Sequence, residues 1–460
     1  MNSSNQYREE YDTLGKIMVP KEAYYGSQTQ RAVDNFQISG LRFPRSLIRV
    51  QGIIKAAAAL AHMEIGKLTP EMGGAIIVAA EEVIEGKWDD QFVIDVYQAG
   101  AGTSQNMNAN EVIANRATEI LGRSQEDRVH PNDDVNMSQS TNDTFHAAIN
   151  IAAAENLVQK LLPAISQLEF EFERKAEEFM PILKSGRTHL HDAVPIRLGQ
   201  EFSGFADTIK SCRQQIERNL DNLYEIGMGG SAIGTKMNTA SGYTPKVIKE
   251  ICNRTKLPFR EPSNFFGFTQ NTNAAFRTML SLKELAIHLI KITSDLRLLS
   301  SGPRTGLAEI TLPSVQPGST IMPGKVNPAI LEMTHMVCCQ IIGYEVAITT
   351  AGIAGQLEIN VMMPVIAHTL LQSIELLSNA IPTLITKCIS GIQANEENCK
   401  KWMESSLALV TALSPKLGYD LASQIGKQAD EENKTIKQIL QEKGMLTVEL
   451  EKLLDPRSMV

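Results

Sequence analysis

Aromatic residues make up only 5% of this 460-residue chain, and two of them are tryptophan. That shortage argues against sheet-rich cores, which draw on aromatic and β-branched side chains. Cysteine is scarce as well. Cys212, Cys252, Cys338, Cys339, Cys388 and Cys399 contain no Cys-x-x-Cys pair, so they read as small, buried, reduced core residues of a cytosolic protein. No uninterrupted apolar run approaches the roughly 18 residues of a membrane span. The opening stretch Met1 to Glu10 is polar and lacks the apolar centre of a signal peptide, so a cytoplasmic location is expected. Positive charge is in deficit: 44 Lys plus Arg against 52 Asp plus Glu leave a net charge of −8, and nucleic acid is not an expected partner.

What is present points to helices. Hydrophobic residues are 43% and charged residues 21% of the chain, an ordinary globular balance. One helix is marked by Thr69 as N-cap, Pro70 at its first position, Glu71 in its first turn and Gly86 as its stop; another ends at Gly122. Longer patterns follow. From Ile196 to Ile226 the apolar seam runs through Leu198, Phe202, Phe205, Ile209, Cys212, Ile216, Leu220 and Leu223, a three-four spacing that predicts a bundle helix stopped by Gly227. Thr272–Ser301 repeats the pattern with further apolar residues (Ala286, Ile287, Ile290, Leu298), so burial on more than one face and oligomerisation are expected. Asp143–Lys184, Val365–Ser390 and a helix from Pro328 towards Gly355 complete the set, with kinks at Pro163 and Pro382. Three domains are expected: 1–140, mixed and helical; 141–393, the long helices; 394–460, small and charged, ending in a helix that starts at Thr447 and stops before Pro456.

Two tempting motifs fail. Gly227-Met228-Gly229-Gly230-Ser231-Ala232 matches GxGxxA but follows a helix instead of a strand, which excludes the dinucleotide reading. Gly318 to Lys325 has five residues between its glycines and Val326 after its lysine, so it is no phosphate loop. There is no HExxH, His189 and His191 suit no common helical metal pair, and neither a metal nor a cofactor is expected.

Four polar clusters remain, each at an expected helix boundary: Gly100–Asn108, Ser138–Asp143, Gly186–Asp192 and Pro317–Pro328. The first two can be explained as turn and capping chemistry. The fourth, with two glycines and three prolines around Ser319-Thr320 and Lys325-x-Asn327, is hardest to explain structurally. Together they offer hydroxyls, amides, an imidazole and a lysine with few carboxylates, a donor set suited to a small dianion.

Pro317–Pro328 resembles the GSSxMPxKxNP signature of the fumarase/aspartase superfamily, and the similarity runs from Tyr24-Tyr25-Gly26 through Arg128–Asp133 to the C-terminal segment. The resemblance implies a mainly α, three-domain subunit with a central five-helix bundle, a homotetramer with a 20-helix core, and active sites shared between subunits. It implies cleavage of a C–N or C–O bond with release of fumarate. Ser319 would be the base at Cβ; His189 and Thr188 would contact substrate, with Glu332 orienting His189. Lys325 and Asn327 would bind one carboxylate and stabilise the aci-carboxylate intermediate. Thr103, Ser140, Thr141 and Asn142 would hold the other carboxylate and the leaving group.

Within the superfamily, Gly100–Ser104, Gln139–Asp143, Asp192–Pro195 and Ala354–Glu358 are similar to aspartate ammonia-lyases, whereas Gly26–Gln30, His130–Asp134 and Cys338–Gln340 are similar to fumarases. The residues nearest the expected site decide for elimination of ammonia from L-aspartate, with class II fumarate hydratase as the alternative. A helical scaffold with a vestigial site is the non-enzymatic alternative. Departures from the family pattern are Thr320 for serine, Lys236 for glycine, His191 for glutamine, His146 for proline and Tyr344 for asparagine.

Overall fold

The Thr69 hydroxyl accepts the amide of Met72, and Gly86, at φ +88°, ends the helix Pro70–Glu85 in the left-handed conformation. In the computed structural model, which describes residues 6–460, the chain is mainly helical; Met1–Asn5 of the polar opening lie outside the described residues. The strands β1 (Tyr7–Asp12) and β2 (Gly15–Pro20) form an antiparallel hairpin that pairs Tyr7 with Pro20. Then come α1 (Ser27–Asn35), α2 (Arg45–Glu64), α3 (Pro70–Glu85), α4 (Thr103–Ile120), α5 (Thr141–Asn156) and α6 (Leu162–Phe179). A second hairpin, β3 (Leu183–Thr188) and β4 (His191–Arg197), precedes α7 (Leu198–Leu223), α8 (Tyr243–Thr255), α9 (Phe265–Gln270) and α10 (Asn273–Leu299). The short β5 (Ile310–Thr311) pairs with β6 (Gln393–Ala394), on either side of α11 (Ala329–Ile353) and α12 (Met363–Lys387). Small helices α13 (Glu396–Ser405), α14 (Ser414–Leu417), α15 (Tyr419–Glu431), α16 (Ile436–Glu442) and α17 (Val448–Leu453) complete the chain.

The chain divides into two compact units. The first comprises Met1–Pro163, Gln214–Glu284 and Cys339–Ser378; the second comprises Ala164–Arg213, Leu285–Cys338 and Asn379–Val460. In the first unit α2 lies so close to α3 that a Cβ on Gly52 would stand 2.9 Å from the Ile84 side chain. Its Ala56–Ala59 run is buried, and so is every residue of α5 from Asp143 to Asn156. In the second unit the few aromatics are concentrated: Phe172, Phe179, Phe202 and Phe205 meet with ring centroids 5.1–6.2 Å apart. Leu413, Ile425, Ile439 and Leu440 centre a small core near the C-terminus.

Several boundaries differ from the sequence expectation. The seam from Leu198 to Leu223 is buried throughout, but the helix starts at Leu198, because Ile196 and Arg197 pair with Lys184 and Leu183 in the hairpin. The expected helix Asp143–Lys184 is helical without a break from Thr141 to Phe179, its irregularity falls just before Pro163, and it ends five residues short of Lys184. A π-helical turn, Leu157–Leu161, precedes α6, which carries Pro163 at its second position, and Lys184 belongs to β3. Cys252 is half-buried and Cys339 exposed; only the other four cysteines are buried. On α10, Ala286 is buried but Ile287 and Leu298 stay exposed within one chain. Helix α11 is long and apolar enough to cross a membrane, and just 28% of its most apolar window is buried within the chain. It is the helix expected from Pro328 towards Gly355; Glu332, His335, Gln340 and Glu345 keep its sequence from forming an uninterrupted apolar run.

Candidate active site

The first and second clusters meet in the first unit. Gly102, at φ +82°, caps α4, and a Cβ there would stand 2.6 Å from the Phe145 ring of α5. Gly100 approaches Val361 more closely still, where a Cβ would fall 2.0 Å from the carbonyl oxygen. Glycine is therefore required at both positions. This turn leaves Thr103 exposed as the first residue of α4, where helix amides lack intrahelical partners. One turn on, the Asn106 Nδ2 donates to the Thr141 Oγ1 at 3.1 Å.

Ser140 caps α5 in a capping box with Asp143: its hydroxyl accepts the Asn142 amide at 3.2 Å, and Asp143 Oδ1 accepts the Ser140 amide at 3.0 Å. Both Ser140 and Thr141 thus have a lone pair filled by a protein N–H, which leaves their hydroxyl hydrogens free for an anion. Asn142 donates its Nδ2 to the Ala232 carbonyl at 2.7 Å, leaving its own Oδ1 available.

The glycine-rich turn that failed as a nucleotide motif has an internal client. The amides of Gly229 and Ser231 donate to Asp143 Oδ2 at 3.2 and 2.9 Å, so the nest wraps a carboxylate of the chain itself. Burial pushes the Asp143 carboxyl up to about 7 against those amides. Lys236 sits in the left-handed region at φ +59°, which accounts for the glycine usual there; its ammonium pairs with Glu261 at 3.1 Å and lies 4.2 Å from the Phe265 ring centroid. His146 is buried with neither ring nitrogen hydrogen-bonded, packs edge-on to Phe268, and is pushed down to about 4 by burial.

In the second unit the third cluster is not at a helix boundary. It is the tip of the β3–β4 hairpin, with Thr188 opposite His191. His189 and Leu190 form its turn with φ +55° and +61°, a geometry that asparagine and glycine adopt more easily. Thr188 and His189 are exposed, and among the described residues the His189 side chain has no hydrogen-bond or ion-pair partner. Behind the tip, the fully buried Glu309 binds Arg187 at 3.0 Å and Lys184 at 3.2 Å, and Lys184 also reaches Glu201 at 2.8 Å.

The fourth cluster is a clasped loop. Gly318 donates its amide to the Lys325 carbonyl at 2.8 Å and accepts the Asn327 Nδ2 at 2.7 Å, with no room for a Cβ. Within the loop Ser319 Oγ accepts the amides of Ile321 and Met322 at 3.2 and 3.0 Å. Amide donors of this kind stabilise an alkoxide over a hydroxyl. Lys325 is exposed. Glu332, in the first turn of α11, lies 3.8 Å from Arg297 and makes no bond to His189 within the chain. No hydrogen bond or ion pair joins the hairpin tip to this loop among the described residues, and no group of three or more His, Cys, Asp or Glu among them is arranged to hold a metal ion.

A model of a family described as "Lyase" matches residues 15–343, and one described as "Fumarase C C-terminus" matches residues 409–460. The chain is 44% identical to aspartate ammonia-lyase of Bacillus subtilis, over 100% of this chain and 97% of the relative. It is 46% identical to mitochondrial fumarate hydratase 1 of Arabidopsis thaliana, over 99% and 94%. The chain belongs to the fumarase/aspartase superfamily. It is a lyase of that superfamily. Among solved structures, a class II fumarase from Schistosoma mansoni superposes with a TM-score of 0.96 at 35% identity, covering 98% of this chain and 99% of that one. Relatives with two activities thus stand at similar identity, and superfamily members act on small dicarboxylates.

Sequence reasoning missed Lys55. It is 1% exposed and donates at 2.9 Å to each of Asn106 Oδ1, Asn136 Oδ1 and Gln139 Oε1. The available signal was a single lysine inside the otherwise apolar run from Ile53 to Ala59.

Proposed function

We propose that this lyase is an aspartate ammonia-lyase, removing ammonia from L-aspartate to give fumarate. The observation that carries the elimination chemistry is Ser319 Oγ held by two backbone amides on the loop that also bears Lys325 and Asn327. As alkoxide, Ser319 takes the Cβ proton. The C–H electron pair moves into the adjacent carboxylate, giving an aci-carboxylate held by Lys325 and Asn327. That pair then returns to form the Cα=Cβ bond as the Cα–N bond breaks and ammonia leaves with its bonding electrons. Each well-placed donor to the intermediate contributes about 3–4 kcal/mol. Thr103, Ser140, Thr141 and Asn142 bind the second carboxylate and the departing amine, and the outward-free hydroxyls of Ser140 and Thr141 support that role. Thr188 and His189 contact the substrate at the hairpin tip. Ammonia, not water, as leaving group rests on the aspartase-like Gly100–Ser104 and Gln139–Asp143; the fumarase-like His130–Asp134 favours fumarate hydration as the second reading.

The proposal includes a homotetramer with shared sites. It is supported by apolar residues exposed on α11 (Met336, Val346, Ile353) and by Glu332 pairing with Arg297 and making no bond to His189 among the described residues. The six free cysteines support a reducing, cytoplasmic setting. Fumarate absorbance with L-aspartate and, separately, L-malate is the test. Turnover of malate alone overturns the ammonia-lyase reading. Ser319→Ala should lose at least about a hundredfold in kcat while assembly stays intact, and retained rate removes Ser319 as the base.

A further inference from the structure

Thr141 does not hold its hydroxyl orientation by itself. The buried Lys55 ammonium has three hydrogens, and all three go to side-chain amide oxygens, of Asn106, Asn136 and Gln139. Among the described residues no carboxylate forms an ion pair with it, although Asp143 is near enough to attract it; burial pushes the ammonium down to about 7. The Thr144 hydroxyl lies 3.3 Å from Asn106 Oδ1 but has its shorter acceptor in the Ser140 carbonyl, at 2.9 Å. With its oxygen facing the Lys55 ammonium, which can only donate, the Asn106 amide has one admissible orientation, and its Nδ2 must face Asn136 Oδ1, at 3.2 Å, and Thr141 Oγ1, at 3.1 Å. A hydroxyl that accepts there directs its own hydrogen elsewhere. Withdrawal of electron density from the Asn106 oxygen by a buried cation makes its N–H a better donor, which in turn makes the Thr141 O–H a better donor.

We propose that Lys55 is a positioning residue: acting through Asn106, it locks and polarises the Thr141 hydroxyl as a hydrogen-bond donor to the substrate. The inference rests on Thr141 being a substrate contact, as in the reading above. It explains why a lysine sits fully buried beside the Ala56–Ala59 run of α2, and why its partners are neutral amides. A carboxylate would quench the charge, whereas an amide passes the polarisation on.

Three single variants and one double variant of the full-length protein test it: Asn106→Asp, Lys55→Met, Thr141→Val and Lys55→Met/Thr141→Val. Asn106→Asp keeps an oxygen for Lys55, adds an ion pair, and abolishes the donor to Thr141. It should fold and assemble as the wild type does, by thermal melting and size-exclusion chromatography, yet lose about as much kcat/KM as Thr141→Val, ten- to a hundredfold. The double variant should be no slower than Thr141→Val alone. Full activity in a folded Asn106→Asp variant overturns the proposal, and so do losses that multiply in the double variant, because a merely structural lysine would act independently of Thr141. The assay uses whichever of L-aspartate or L-malate the wild type turns over. A substrate other than aspartate therefore corrects the ammonia-lyase reading without touching this one, and unchanged kinetics in Thr141→Val on either substrate removes the contact on which this inference rests.

Discussion

Asn327 donates its side-chain Nδ2 to the carbonyl of Gly318, nine residues back, at 2.7 Å. This bond closes the loop that carries Ser319 and Lys325, so the asparagine has a geometric duty as well as the substrate contact proposed for it.

Replacing Asn327 with aspartate separates the loop clasp from the global fold. A carboxylate cannot donate to Gly318 and places negative charge beside a site proposed to bind an anion. We expect a loss of more than about a hundredfold in kcat/KM, from one lost donor and one new repulsion. Stability should change by no more than about 1 kcal/mol, because the loop is partly exposed. Steady-state fumarate assays beside thermal melts check both halves.

Glu309 is the buried anion between Lys184 and Arg187. Glu309→Gln leaves the partly buried Arg187 without its anion and the buried Lys184 with Glu201 alone, and should cost about 3 kcal/mol. The hairpin that presents Thr188 and His189 should loosen first. Denaturant titration measures the stability loss, and a rise in KM larger than the fall in kcat would report the displaced tip.

Acid should destabilise the protein through two buried histidines. His62 and His146 are each held by burial near 4, against an ordinary value of 6.5. Between those values the unfolded chain binds protons that the folded chain refuses, so unfolding is favoured as pH falls from 6.5 towards 4, and no further below that. Each group accounts for about 3 kcal/mol across the window. In His146→Phe, which can keep the edge-on contact with Phe268, the melting temperature should fall less steeply between pH 7 and 5. An unchanged slope would remove His146 from the account.

Gly102→Ala should be among the most damaging small changes. Its Cβ would meet the Phe145 ring at 2.6 Å, in a backbone conformation that L-residues avoid. Overpacking and backbone strain together should cost more than about 2 kcal/mol and shift the start of α4. Thermal melting and the activity of the soluble fraction report both effects.

The helices were legible where local chemistry fixed them. Thr69 and Gly86 bracket α3 as read, and the seam from Leu198 to Leu223 is buried as spaced. The loop from Pro317 to Pro328 was legible because its glycines and prolines do not fit a helix. The β3–β4 hairpin was not: its turn residues are histidine and leucine, which carry no turn signal, and the strand pairing is set by a register shift at Gly186 between Ser185 and Arg187. Lys55 and Glu309 were illegible for another reason. Their partners lie 51 to 125 residues away in sequence, and only the folded chain shows whether a buried charge is satisfied. The double use of Ser140, as helix cap and as candidate ligand, follows the same logic, since capping fills one lone pair and leaves the hydrogen free.

The left-handed turn at His189 and Leu190 sets activity against stability at one point in the chain. Each residue there forgoes about 1 kcal/mol that asparagine or glycine would recover. Leu190→Gly should therefore raise the melting temperature and keep the imidazole in place. His189→Asn should raise it too, at the expense of the substrate contact proposed for the ring. A search for more robust variants that selected on heat resistance alone would drift towards Asn-Gly at this turn and discard the histidine.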